Sequence, residues 1–185
     1  MGWGQQRLPM HTSVMARGFL LGLAACAAVA PLAWPAGAAS RRITAIVLSI
    51  GDGDTIRVRQ AGRAITVRLA CIDAPEAAQA PYGPQARRYL QQQLPLNREI
   101  SLDVKTIDRY GRTVAEVFTV AQRFRQVNIN LAMVEDGQAY AYRRYLSSCK
   151  EQDYLQAERR ASQRRSGVWQ VAGGITRPWD FRRGR

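Results

Sequence analysis

Between residues 41 and 120 apolar and polar positions alternate in short runs separated by turn residues. That period of two is the signature of half-buried strands. "RRITAIVLSI" (41–50), "DTIRVRQ" (54–60) and "RAITVRLACI" (63–72) are three runs rich in β-branched residues, and the short gaps between them predict tight turns. In the second run Asp54, Ile56 and Val58 share a face. In the third Ile65, Val67, Leu69 and Cys71 share one, leaving Arg68 on the other. "SIGDGDTIRV" (49–58) carries an Asp-Gly corner, Asp52-Gly53, and glycine there accepts the positive φ of a hairpin turn. Two further strands are predicted, "EISLDV" (99–104) and "TVAEVFTV" (113–120).

The pattern changes to helical spacing in "YGPQARRYLQQQL" (82–94). Ala86, Tyr89, Leu90 and Leu94 form one stripe there and Pro84 suits the first turn. "VNINLAMVEDG" (127–137) predicts a short helix closed by Gly137. The last helix is expected to open on a capping box, Ser148-Cys149-Lys150-Glu151, and to run to about Arg165. After Trp169 a basic tail (171–185) is expected to be mobile, so the folded unit is placed at residues 40–170. Five strands with late helices place the chain in the α+β class. A closed barrel and other layouts fit that pattern equally.

Residues 1–38 are read as a signal peptide, with 1–14 as an upstream extension before Met15. The apolar stretch 18–34 follows Arg17 and runs into Ala36-Gly37-Ala38, a small-x-small cleavage pattern. "LAAC" (23–26) offers a lipid anchor at Cys26 as the second choice. Both readings predict export to the periplasm or the medium, with no stable membrane span. Two cysteines then remain, Cys71 and Cys149, and in an exported chain such a pair predicts a disulfide, against a buried free thiol at Cys71.

The 185 residues carry a formal net charge of +13, which cleavage would lower by two, for Arg7 and Arg17. Such a charge favours polyanionic partners, nucleic acid or anionic lipid, without choosing between them.

Acids are scarce against that charge, and those of interest stand at element ends. Asp54 follows the first turn, "RLACIDAPE" (68–76) brings Asp73 and Glu76 to the end of the third strand, and "DRYGR" (108–112) places Asp108, Arg109, Tyr110 and Arg112 before the fifth. Asp54 and Asp73 are oxygen donors suited to a hard divalent cation. No His/Cys cluster exists to hold zinc. Arginine forks suit phosphate, so a cation, two arginines and a spare carboxylate are the parts of metal-assisted phosphodiester hydrolysis.

"DGDT", "VRLACIDAPE" and "DRYGR", in that order, resemble the signature of the staphylococcal nuclease (thermonuclease) family, over about Thr44 to Trp169. The resemblance implies a five-stranded OB-fold-type β-barrel with three helices. It also implies Ca2+ held by Asp54, Asp73 and the carbonyl of Ala74, with Glu76 as general base and Arg68 and Arg112 on the phosphate. Arg109 and Tyr110 would lie near the neighbouring phosphate. Two family tyrosines that flank the nucleotide fall, in an ungapped match after Gly137, on Arg143 and Tyr145, with Tyr140 and Tyr142 as the alternatives if the match shifts. The implied substrates are DNA and RNA, preferably single-stranded, cut by a monomer to leave 3′-phosphate ends. Ala74 stands where the family has threonine, which leaves the carbonyl in place. The alternatives are a catalytically silent barrel that binds nucleic acid and a cationic envelope lipoprotein. The first lacks acids or arginines that are present here, and the second leaves the acids unexplained.

Overall fold

The computed structural model describes residues 42–120 and 126–184. The leader and the Cys26 anchor site lie outside them. β1 (Ile43–Ile50), β2 (Thr55–Gln60), β3 (Arg63–Leu69), β5 (Glu99–Ile107) and β6 (Thr113–Thr119) close into a barrel in the order β1-β2-β3-β6-β5. Every ladder is antiparallel except β3 with β6. This is the OB-type α+β architecture expected from the sequence.

The alternating positions do the closing. Val47, Ile56, Val58, Val67, Leu69, Ile100, Leu102, Ala115 and Val117 fill the interior. A register shift between Val47 and Ser49 flips the inward parity of β1, so Ile50 is buried as well as Val47. Helix α1 (Tyr82–Gln93) buries Ala86 and Leu90, with Leu94 at its C-terminus, and leaves Tyr89 half-buried. α2 (Ile129–Glu135) is capped by the Asn128 side chain, which accepts from the Leu131 N–H. α3 (Glu151–Gln163) packs on it, buries Tyr154, Ala157 and Ala161, and is joined to it by Arg160 and Arg164 on Glu135. Among the described residues no helix is long and apolar enough to cross a membrane.

Four local expectations are corrected. The third strand ends at Leu69, and Cys71 takes a left-handed φ of 66° in place of continuing the ladder. An L-residue holds that conformation only when its surroundings fix it. Here the Ala70 N–H donates to Ala115 O, Asn130 Nδ2 donates to Ala70 O, and the Tyr142 N–H donates to Cys71 O. The turn frees a two-residue strand β4 (Ile72–Asp73), which pairs with β7 (Tyr140–Ala141). Cys71 is bridged to Cys149, with Cα atoms 6.5 Å apart.

The capping box does not form. Lys150 is the N-cap of α3 and makes no side-chain cap, because residues 143–148 wind into a 3₁₀ turn in which the Ser148 hydroxyl donates to Tyr145 O. Gly53 does not carry a positive φ; its requirement is space, as shown below. Finally, the stretch read as a mobile tail is folded. Residues 178–183 form a fourth helix, α4 (Pro178–Arg183), whose Trp179 packs with Tyr140 and Trp169. The apolar burial of those aromatic rings outweighs the tail's charge, which periodicity could not reveal.

Candidate active site

The site is assembled at one end of the barrel by three short turns. In the first, the Asp52 side chain accepts from the Asp54 N–H (3.1 Å), and the Gly51 N–H donates to Thr55 O (2.8 Å). This Asx turn fixes Asp54 at the mouth of β2. Gly53 stands so close to the second turn that a β-carbon would lie 2.6 Å from the Ala74 methyl. With no side chain there, Asp54 Oδ2 accepts the Ala74 N–H at 2.8 Å.

The second turn carries Asp73, Ala74 and Glu76. β4 aims Asp73 inward, where it is fully buried. The Glu76 N–H donates to the Gln79 side chain (3.0 Å) while its carbonyl accepts the Gln79 N–H (2.8 Å). Gly83 packs on the same turn: a β-carbon there would meet Glu76 O at 2.0 Å, so only glycine lets α1 approach. Gln79 and Gly83 support the acids and were not singled out from the sequence.

Arg68 projects from the outward face of β3, as alternation predicts, and ion-pairs with Asp54 and, at 2.6 Å, with Asp73. One guanidinium thus bridges two buried carboxylates. The third turn holds Arg112, whose Nε donates to Asp108 Oδ2 at 2.7 Å and whose N–H donates to Oδ1 at 2.9 Å. Burial acts against the Asp108 carboxylate, but the Arg112 backbone N–H and guanidinium outweigh it and hold its pKa below the ordinary value. Arg109 donates to the Tyr110 hydroxyl at 2.6 Å, and Tyr110 is largely exposed.

These elements surround an open cleft of about 1300 Å³, lined by Asp54, Arg68, Ala74, Glu76, Arg112 and Tyr145 among others. Arg109, Tyr110 and Arg143 also reach it. Arg143, however, is committed elsewhere: it ion-pairs with the buried Glu158 and donates to Ala141 O at 2.9 Å, bracing β7. The aromatic lining is Tyr145 edge-on to Tyr142 (centroids 5.1 Å apart), with Trp179 lying parallel to Tyr142 at 5.0 Å.

One occupant was not foreseen. Arg182 of α4 reaches Asp73 through Nη2 (2.7 Å to Oδ2) and Nη1 (3.2 Å to Oδ1), and Glu76 through Nη1 (2.6 Å). Hydrogen bonding to Asp73, then to Glu76, raises the guanidinium pKa, so it is a permanent cation. The sequence signal for it was faint, a run "WDFRRGR" in which aromatic residues sit among arginines.

The donor set fits a hard cation. Buried anions require positive charge, and Asp54 and Asp73 are 3% and 0% exposed with arginines as their ion-pair partners. The set is lean: among the described residues no three His, Cys, Asp or Glu side chains are grouped to hold a metal. Two carboxylates would therefore need carbonyl and water oxygens to complete a shell.

Comparison with known proteins gives one consistent result. The family described as "Staphylococcal nuclease homologue" matches residues 66–171. A micrococcal nuclease of Shigella flexneri is 40% identical over 141 residues, covering 74% of this chain and 79% of that one. Protein ParB of Escherichia coli is 39% identical over 168 residues, 89% and 91% of the two chains. An uncharacterized endonuclease of Haemophilus influenzae is 39% identical over 127 residues, 68% and 66%.

Proposed function

The chain belongs to the staphylococcal nuclease family, and from that premise we propose that it is an exported, calcium-dependent nuclease that hydrolyses phosphodiester bonds in DNA and RNA. The observation that carries the reading is an open cleft lined by Asp54, Arg68, Glu76 and Arg112, with the buried Asp73 held behind it on the Arg68 guanidinium that also pairs with Asp54.

Asp54, Asp73 and the Ala74 carbonyl would hold the calcium ion, which supplies positive charge to the phosphate. Arg68 and Arg112 would orient the same phosphate, each exchanging a carboxylate partner for phosphate oxygens. Glu76, about a third exposed and facing the cleft, would take a proton from the attacking water. As the water oxygen bonds to phosphorus, the bond to the 5′-oxygen breaks and that oxygen takes a proton from solvent in the open cleft. The products are a 3′-phosphate and a 5′-hydroxyl.

Beyond the scissile phosphate, Tyr142 and Tyr145 are the better base platform, since Arg143 is held by Glu158. Arg109 and Tyr110 would meet a neighbouring phosphate. Export rests on the leader reading and on the Cys71–Cys149 bridge, which suits an oxidising compartment.

Product analysis on labelled single-stranded DNA, with calcium or with a chelator, tests the proposal. Calcium-dependent fragments whose 3′ ends respond to a phosphatase are the expected result. Intact DNA under every condition, or 5′-phosphate products, would contradict it.

A further inference from the structure

The C-terminal segment is part of the active site. Trp179 is fixed on both sides, parallel to Tyr142 at 10° and edge-on to Tyr140 at a centroid distance of 6.0 Å. Two polar ties hold the chain before it: the Tyr140 hydroxyl donates to Ile175 O (2.9 Å) and Gln79 Nε2 donates to Thr176 O (2.7 Å). Gln79 is the same side chain that accepts from the Glu76 N–H, so the segment and the acidic turn share one polar bridge. Arg177 adds a cation–π contact over Tyr140 at 4.7 Å. These contacts make the arrival of Arg182 at Asp73 and Glu76 a feature of the packed state.

The consequence concerns charge. Asp73 accepts from Arg68 on one oxygen and from Arg182 on both, and Glu76 accepts from Arg182. An entering cation would meet a carboxylate whose oxygens already hold guanidinium groups. A divalent cation added beside those two guanidinium groups would be repelled strongly where water is scarce. The Arg182 side chain is 40% exposed on the cleft side, so it can swing into solvent by rotamer change while Trp179 keeps α4 docked.

We propose that Arg182 is a built-in counter-cation that competes with the metal ion for Asp73, so that the C-terminal helix sets how readily the site is loaded. The inference rests on the calcium reading given above. It makes the segment after Trp169 an autoinhibitory element: the acids are neutralised until the ion displaces Arg182. Apparent metal affinity is then the intrinsic affinity reduced by the fraction of chains in which Arg182 has left.

Calorimetric calcium titration of the full chain tests this without any reference to activity, using wild type, Arg182→Gln and Arg183→Gln. Arg183 lies next along the helix, pairs with Asp180, and loses the same unit of charge. Arg182→Gln should tighten the calcium Kd by about tenfold, the factor expected if the site is free in roughly one chain in ten. Arg183→Gln should stay within about twofold, because its exposed guanidinium is screened by solvent and already paired with Asp180. If Arg182→Gln fails to fold, Arg182→Lys serves, since a point charge cannot keep the two-oxygen contact with Asp73; it should tighten calcium by a smaller factor. Equal calcium affinity in all variants would overturn the inference and leave the nuclease reading standing. Equal tightening by the two glutamine variants would do the same. Failure of every chain to bind calcium would overturn both.

Discussion

Gly53 lies against Ala74 so closely that a β-carbon at position 53 would sit 2.6 Å from the Ala74 methyl and 2.9 Å from that of Ala86. The Asp-Gly corner is therefore a spacing device. It brings the turn bearing Asp54 onto the turn bearing Asp73 and onto helix α1. Because Gly53 has no left-handed φ, alanine is opposed by space alone. Gly53→Ala should destabilise the fold by about 1–3 kcal/mol, the range for overpacking a filled core, and lower activity by separating Asp54 from Ala74. Urea denaturation checks it. A gain of about 0.5 kcal/mol, which unfolded-state entropy alone would give, would show that the turns can part freely.

Arg68 bridges Asp54 and Asp73 with a planar fork. Lysine keeps the charge and loses the second contact. Arg68→Lys should reduce kcat/KM by about 10²–10³-fold, the loss typical of one preorganised donor. Kinetics within twofold of wild type would make Arg68 a structural counter-ion and no more.

The disulfide between Cys71 and Cys149 spans 78 positions and holds the residue whose left-handed turn launches β4 and Asp73. Cross-linking a loop of that length is worth about 4.5 kcal/mol in the chain-entropy picture. The Cys71→Ser/Cys149→Ser variant should lose stability on that scale and should lose activity with it. An unchanged urea midpoint would show that packing around Asn130 and Tyr142 suffices.

Glu135 accepts from Arg160 and Arg164 and so clamps α2 to α3. The Arg160 hydrogen bond, ahead of opposing burial and then Arg164, holds its pKa below the ordinary 4.5. A lowered folded-state pKa stabilises at pH values above 4.5, and that contribution is lost as pH falls through the folded value. Glu135→Gln should therefore cost about 0.5 kcal/mol at pH 7, as for exposed pairs. The difference from wild type should shrink as pH falls below 4.5. A difference that persists undiminished in acid would assign the effect to packing.

Much of this site was legible because its residues stand where regular patterns stop. Alternation assigned Asp54 the parity of Ile56 and Val58 and placed Arg68 on the opposite face from Val67 and Leu69, and the structure agrees. The acids were readable as ends of elements. Contacts between segments distant in sequence were not. Arg182 meets Asp73 across 109 positions, and nothing in "DFRRGR" distinguishes it from its neighbours. Arg143 looked available until Glu158, on the third helix, claimed it. The capping box failed for a local reason, since the 3₁₀ turn at residues 143–148 used the Ser148 hydroxyl first. Cys71 fitted the alternating pattern, and the hydrogen bonds at Ala70 and Tyr142 with the bridge to Cys149 hold it out of the strand.

Glu76 faces the cleft three residues beyond Asp73 and is the group proposed to move the proton. Glutamine keeps its shape and its ability to accept from Arg182 but cannot take a proton from water. The direct measurement is single-turnover cleavage of labelled single-stranded DNA with calcium, alongside the Kd for the same strand, for wild type and Glu76→Gln. The rate should fall by about 10²–10⁴-fold, the usual scale for a lost general base, with DNA binding little changed. Cleavage at the wild-type rate would contradict this role for Glu76.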